Sequence, residues 1–235
     1  MEGLPRAKRS ERDWLNALTY SVQSPRLVVR EVVLTPASIC SYIINKEQIP
    51  GWIPAFDIRT GKPRWIFRTV PRRGDCGIDT WKDDSWAYAG RAPLWSMMSA
   101  DEELGYIYIP TNTTASDYYG GHRHGDNLFA ESVLCLDADT GKRVWHCQTV
   151  HHRLWDYDNP AAPILMNLTV DGRPVKMLAQ VTKQGFLFAF DRVNGKPICP
   201  SKSALSHRRT SRARRPRPRS HLPPDPRPTN TRMPR

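Results

Sequence analysis

The sequence predicts an all-β propeller assembled from repeated four-stranded blades. Three observations carry the prediction. An eleven-residue segment occurs three times, as Ala55-Phe-Asp-Ile-Arg-Thr-Gly-Lys-Pro-Arg-Trp65, Cys135-Leu-Asp-Ala-Asp-Thr-Gly-Lys-Arg-Val-Trp145 and Ala189-Phe-Asp-Arg-Val-Asn-Gly-Lys-Pro-Ile-Cys199. Further β-rich runs precede the segments, at Leu27–Val29, Val32–Leu34, Tyr106–Ile109 and Leu178–Val181. Finally, Trp stands at a fixed offset from the glycine in the first two copies, and Cys199 takes its place in the third. Internal repetition of this kind outweighs local propensity as evidence for architecture.

Each repeat reads as a β-hairpin. An apolar strand ends at Asp, the turn closes on a Gly that tolerates positive φ, and a second strand is expected to begin at Lys. Short strands with frequent turn residues and no helical periodicity exclude an α or α/β fold. A sandwich also alternates strands and turns, but it has no need of a repeated Trp at one offset from a Gly turn. Four-stranded blades around a channel satisfy both features.

Charge divides the chain unevenly. The 235 residues carry 35 Lys+Arg and 23 Asp+Glu, a net charge of +12. Residues 201–235 hold one Lys, ten Arg and one Asp, hence +10, so residues 1–200 carry only 12 − 10 = +2. The body is therefore not a basic nucleic-acid binder. From Ser201 onward there is no Phe, Tyr or Trp, and Arg and Pro dominate, as in Arg212-Ala-Arg-Arg-Pro-Arg-Pro-Arg219. Such a composition cannot bury a core. The expected organisation is a poorly ordered lead over 1–17, a partial propeller over 18–200 and a disordered Arg/Pro-rich tail over 201–235. The tail reads as a product of a shifted reading frame or a truncation, with a phosphate-seeking arm as its rival.

No run of about 18 apolar residues is present, which excludes a spanning helix, and Met1–Trp14 has no apolar h-region of a signal peptide. Cys40, Cys76, Cys135, Cys147 and Cys199 form no C-x-x-C pattern, so zinc-ribbon, thioredoxin-like and c-type haem readings lose support. His122, His124, His146, His151 and His152 are close in sequence but lack H-E-x-x-H or structural-site spacing, and read as pocket-rim or blade-core residues.

The repeats and the segments between them resemble the quinoprotein dehydrogenases, eight-bladed propellers built around pyrroloquinoline quinone (PQQ), and specifically the membrane-type glucose dehydrogenase branch. The resemblance rests on the tryptophan-docking repeats and on four ordered segments. These are Leu94-Trp-Ser-Met-Met-Ser-Ala-Asp-Glu-Glu-Leu-Gly105, Asp117-Tyr-Tyr-Gly-Gly-His-Arg123 with Gly125–Ser132, Thr149-Val-His-His-Arg-Leu-Trp-Asp-Tyr-Asp158 and Val181-Thr-Lys-Gln-Gly185. It covers residues 18–198, so the implied fold is a partial eight-bladed propeller with about three to four blades present.

The resemblance implies a chemistry for particular residues. PQQ is a flat tricyclic quinone with three carboxylates, and its site needs a stacking face, cations and a base for the alcohol. Trp95 matches the Trp that stacks on the cofactor, and Lys183 the Lys that donates to the quinone oxygens. Asp156, which follows Trp155, matches the base that takes the hydroxyl proton as hydride passes to the quinone. Arg153, where the branch often carries Asp or Gly, adds a cation that favours the carboxylate form of Asp156. The stretch Thr111–Thr114 matches one lining the site, with Asn112 expected against the cofactor and Thr114 as an oxygen ligand of Ca²⁺ or Mg²⁺. Upstream, the branch places an acidic metal ligand where this chain offers Ser41 or Tyr42, a departure that weighs against metal binding.

The implied function is oxidation of a sugar or another alcohol, with glucose to gluconolactone the branch reaction and a membrane quinone or cytochrome as electron acceptor. The implied location is periplasmic or membrane-associated. The competing reading is a non-catalytic propeller acting as a scaffold, which has no reason to keep Trp95, Asp156 and Lys183 together. Open sheet edges at both ends of an unclosed propeller further predict little or no turnover by this chain alone.

Overall fold

The computed structural model describes residues 20–39 and 46–198. The expectations attached to Ser41, Tyr42 and Cys199, to the lead over 1–17 and to the tail over 201–235 lie outside the described residues.

The described chain is built from antiparallel sheets, with 3-10 turns at Ile78–Thr80 and Ser85–Ala87. Strands β1 (Tyr20–Ser21) and β4 (Ser38–Ile39) pair as a two-stranded ribbon. The first blade comprises β2 (Leu27–Val29), β3 (Val32–Leu34), β5 (Ile53–Asp57) and β6 (Pro63–Phe67), in that spatial order. The second runs from β7 (Ser99–Asp101) through β8 (Tyr106–Pro110) and β9 (Ser132–Asp137) to β10 (Arg143–Gln148). The third contains β11 (Ile164–Val170), β12 (Arg173–Val181) and β13 (Leu187–Asp191).

The repeated segments form the β5–β6 and β9–β10 hairpins and the end of β13. Each turn is closed by its Asp: Asp57 Oδ1 accepts from Thr60 N at 2.8 Å and Thr60 Oγ1 at 2.8 Å, and Asp137 Oδ1 accepts from Thr140 N at 2.9 Å and Thr140 Oγ1 at 2.7 Å. The Thr60 hydroxyl is the main reason the Asp57 carboxyl titrates below its ordinary range. Gly61, Gly141 and Gly195 sit at φ 66°, 68° and 73°, the left-handed region that penalises a Cβ. The second strand starts one residue later than expected, at Pro63 and Arg143. The Lys carbonyl is still part of the turn: Lys62 O and Lys142 O accept from Asp57 N and Asp137 N at 2.8 and 2.9 Å.

The repeated Trp joins one blade to the next. Trp65 Nε1 donates to Ala138 O at 2.8 Å in the second blade's repeat, and Trp145 Nε1 donates to Arg192 O at 3.0 Å in the third's. Each ring also covers the next repeat's glycine: a Cβ at Gly141 would lie 2.4 Å from Trp65 Cδ2, and one at Gly195 2.6 Å from Trp145 Cδ2. A side chain at either glycine would occupy the place of the ring.

Strand alternation then fills the two inter-blade cores from the second blade's opposite faces. Ile107, Ile109, Leu134 and Leu136 pack with Val29, Val32, Leu34 and Ile53 of the first blade. The residues between them, Tyr108, Val133 and Cys135, pack with Trp145, Leu178 and Phe190 toward the third. A buried ion pair, Arg192 Nε to Asp101 Oδ2 at 2.7 Å, adds a polar tie across this second seam. Burial by itself would raise the Asp101 pKa, but the Leu104 N–H and the Arg192 guanidinium outweigh it and hold the carboxyl below its ordinary range.

Candidate active site

The residues singled out from sequence come from loops at one end of the second and third blades. Trp95 precedes β7, Asn112 and Thr114 follow β8, Asp156 precedes β11 and Lys183 follows β12. Antiparallel pairing of Ser99 with Tyr108 and of Ile164 with Ala179 brings the start of β7 beside the end of β8 and the start of β11 beside the end of β12. The docking turns occupy the other end of the strands, since Asp137 pairs with Tyr106.

Four of the five meet. Lys183 Nζ donates to Asp156 Oδ2 at 2.8 Å and lies 5.5 Å from the centre of the Trp95 ring. Asn112, with its amide oxygen turned to the indole, accepts from Trp95 N at 3.2 Å and Trp95 Nε1 at 2.7 Å. Trp95 is 40% exposed, while Asn112 is buried. Thr114 is buried too, and its hydroxyl donates to Ala115 O at 3.3 Å. Arg153 Nη2 is 3.6 Å from Asp156 Oδ1, so the expected cation is beside that carboxylate.

Asp158 was not anticipated, although it ends the quoted Trp-Asp-Tyr-Asp segment. It is 4% exposed. Its Oδ1 accepts from Thr113 N at 2.8 Å, and its Oδ2 from Trp95 Nε1 at 2.9 Å and Lys183 Nζ at 3.1 Å. Burial would raise its pKa, but the bonds from Trp95, Thr113 and Lys183 prevail and lower it. For Lys183, burial would lower the pKa, and the bonds to Asp156 and Asp158 reverse that and raise it. Both shifts favour a charged pair.

A buried polar layer supports these loops. Arg123 donates to Ala115 O at 2.7 Å, Arg153 O at 2.8 Å and Asn127 Oδ1 at 2.9 Å. Burial pushes its pKa down to about 10. Arg153 pairs with the fully buried Glu131, whose carboxyl burial pushes up to about 8. All three residues fall in the segments that carry the family resemblance, but only Arg153 is singled out there, because the burial of Arg123 and Glu131 depends on how the loop over residues 115–131 packs against the one at 149–158.

The histidines take separate partners. His124 Nδ1 is 2.6 Å from Asp83 Oδ2, His151 faces Asp126 at 3.9 Å, and His152 Nδ1 bonds Gly125 O at 2.7 Å. Among the described residues, no group of three or more His, Cys, Asp or Glu converges as a metal site. Nor is any helix among them long and apolar enough to cross a membrane.

The profile of a PQQ family, described as "Glucose/ethanol/alcohol dehydrogenase, beta-propeller domain", matches residues 6–230. The chain belongs to this PQQ propeller family. Among PQQ-family relatives, "Quinoprotein glucose dehydrogenase A" of Acinetobacter calcoaceticus is 34% identical over 77% of this chain, and "Quinohemoprotein alcohol dehydrogenase ADH IIB" of Pseudomonas putida is 33% identical over 79%. These alignments take in 22% and 28% of the relatives' own lengths, so the chain spans about a quarter of the proteins it matches. The solved quinohemoprotein alcohol dehydrogenase of Comamonas testosteroni superimposes with a TM-score of 0.67 at 29% identity, over 76% of this chain and 28% of that one. Membership bears out the propeller and the family resemblance drawn from the repeats.

Proposed function

We propose that this chain is the PQQ-binding part of a quinoprotein dehydrogenase that oxidises a sugar or another alcohol, with glucose oxidation to its lactone as the favoured reaction. The observation that carries the reading is the convergence of a half-open Trp95 indole, a Lys183 ammonium and the Asp156 carboxylate on one end of two adjacent blades. These groups fit PQQ: a flat aromatic face, a cation for its oxygens and a carboxylate beside both. PQQ, when bound, accepts hydride from the substrate carbon. Trp95 would offer its ring to the cofactor plane, with Asn112 accepting from its main-chain N and its Nε1. Lys183 donates hydrogen bonds toward the cofactor oxygens, where negative charge develops. Asp156, whose side chain is 34% exposed, takes the hydroxyl proton of the alcohol.

A Ca²⁺ or Mg²⁺ ion is the second group the family reading implies. The described residues do not make up a site for it. The Thr114 hydroxyl is turned to a carbonyl, Asn112 bonds Trp95, and Lys183 holds Asp156 and Asp158. Electrons would leave to a membrane quinone or a cytochrome on the periplasmic side, and the propeller body would extend over 18–200.

Equilibrium titration of the chain with PQQ, followed by Trp fluorescence, tests the reading. Wild type is expected to bind saturably, and Trp95→Ala and Lys183→Gln to weaken binding by roughly ten-fold or more, the scale of one lost aromatic stack or one lost charge-assisted hydrogen bond. Asp156→Asn should leave binding within about two-fold, because its proposed role is in proton transfer. Absence of saturable binding, or equal binding by all variants, would overturn it.

A further inference from the structure

We infer that Asp158 is a positioning residue that fixes the Trp95 indole and the Lys183 ammonium relative to one another; the role rests on the PQQ reading, but the arrangement itself is a property of the chain without cofactor. Three separate loops meet on this one carboxylate: Thr113 N after β8, Trp95 Nε1 before β7 and Lys183 Nζ after β12. The Thr113 amide is main chain and cannot swing away, so it anchors Oδ1 and leaves Oδ2 directed at the other two donors.

Each partner depends on such an anchor. An indole has a single N–H donor, shared here between Asp158 Oδ2 at 2.9 Å and the Asn112 amide oxygen at 2.7 Å, of which only the carboxylate carries a charge; Trp95, 40% exposed, has incomplete packing to hold its ring. A bond at Nε1 therefore resists rotation of the ring about its side-chain axis. Lys183 carries a flexible four-carbon stem whose head can point anywhere in solvent. Two carboxylates confine it, and of these only Asp158 is buried.

The two acids thus divide the work. Asp156 is accessible and contacts the cations Lys183 and Arg153, as a group that must meet substrate requires. Asp158 is closed off and binds donors from both sides of the second blade–third blade seam. Asparagine at 158 has nearly the same volume but carries an NH₂ in place of one oxygen. Whichever way its amide turns, an N–H faces another N–H, at Thr113 or at the Trp95–Lys183 pair.

The test uses the full chain labelled with 5-fluorotryptophan, without PQQ, and observed by ¹⁹F NMR. Trp95→Phe assigns the Trp95 line among the eight tryptophans of the sequence. In Asp158→Asn the Trp95 line is expected to shift or split while the other seven hold. A Trp95 line that stays in place overturns the role, and so does a collapse of all lines, which would make Asp158 a general structural residue. Lys183→Gln gives an independent reading on a half-exposed partner. With Asp158 intact the Trp95 line should remain single, and splitting or broadening in this variant would assign the ring's position to the cation and overturn the inference. A third arm adds PQQ. Asp158→Asn should lower affinity by roughly ten-fold in the wild-type background and by under about two-fold in the Trp95→Phe/Lys183→Gln background, where both positioned groups are gone, as expected of coupled residues. Equal losses in both backgrounds count against positioning. If the NMR arms succeed and no variant binds PQQ, the functional reading fails while the arrangement stands.

Discussion

The two ends of the second blade solve different problems. At one end, Trp65 and Trp145 dock onto the next repeat by an indole N–H bond to a carbonyl and a ring laid over a glycine. The same device is used at both seams, and its partners are main-chain atoms that any repeat supplies. At the other end, Trp95 uses the same Nε1 donor on the side chain of Asp158, within a charged cluster that includes Lys183. A seam can repeat because apolar burial and main-chain bonds tolerate sequence drift. A site built on named carboxylates and one ammonium cannot.

The largest expected effect lies in the seam. Trp145→Ala removes a buried ring from the second core and should cost about 3–5 kcal/mol of unfolding free energy, read from urea denaturation. Trp155→Ala, whose ring is exposed, should change it little.

Next is the polar tie of the same seam. Asp101→Asn leaves Arg192 buried without its charge partner, and should cost about 3 kcal/mol. Because the folded Asp101 pKa is depressed, the pair's contribution is complete above the ordinary carboxylate value of about 3.9 and is lost as pH falls through the lower folded value. Wild type should therefore lose stability faster than Asp101→Asn as pH falls from about 4 to 2.

A finer comparison sets one repeat against another. Gly61 and Gly141 have nearly the same φ, but a Cβ at Gly61 meets nothing within 4 Å, whereas one at Gly141 collides with Trp65. Gly61→Ala should cost about 1 kcal/mol for the left-handed backbone alone. Gly141→Ala should cost a further 1–3 kcal/mol or so for displacing the ring. Equal costs would mean that Trp65 docking contributes nothing at that turn.

The smallest expected effect on stability is at the site. Lys183→Gln breaks contacts of a half-exposed ammonium, and is expected to move unfolding free energy by under about 1 kcal/mol while weakening PQQ binding. A variant with little effect on folding and a large one on binding would separate the two ends of the blade.

Much of this was legible in the chain itself. Asp57, Gly61 and Trp65 recur as Asp137, Gly141 and Trp145 because a turn and a docking contact impose local requirements at fixed spacing. Trp95, Asn112, Asp156 and Lys183 could be named through the family resemblance, and the fold brings them together. Thr114, named with them, has its hydroxyl on a neighbouring carbonyl instead.

What only the tertiary structure decided was which polar groups face one another. Asp156 and Asp158 stand two residues apart with similar sequence surroundings, yet one is open and the other buried against Thr113 N. Arg123, Glu131 and Arg153 form one layer although 30 residues of chain separate the first from the last. The sequence alone determined the hairpin, its glycine and the docking Trp, since short-range sterics and periodic burial are written locally. Burial of a charge depends on atoms supplied by other loops, and those are assembled only when the blades pack.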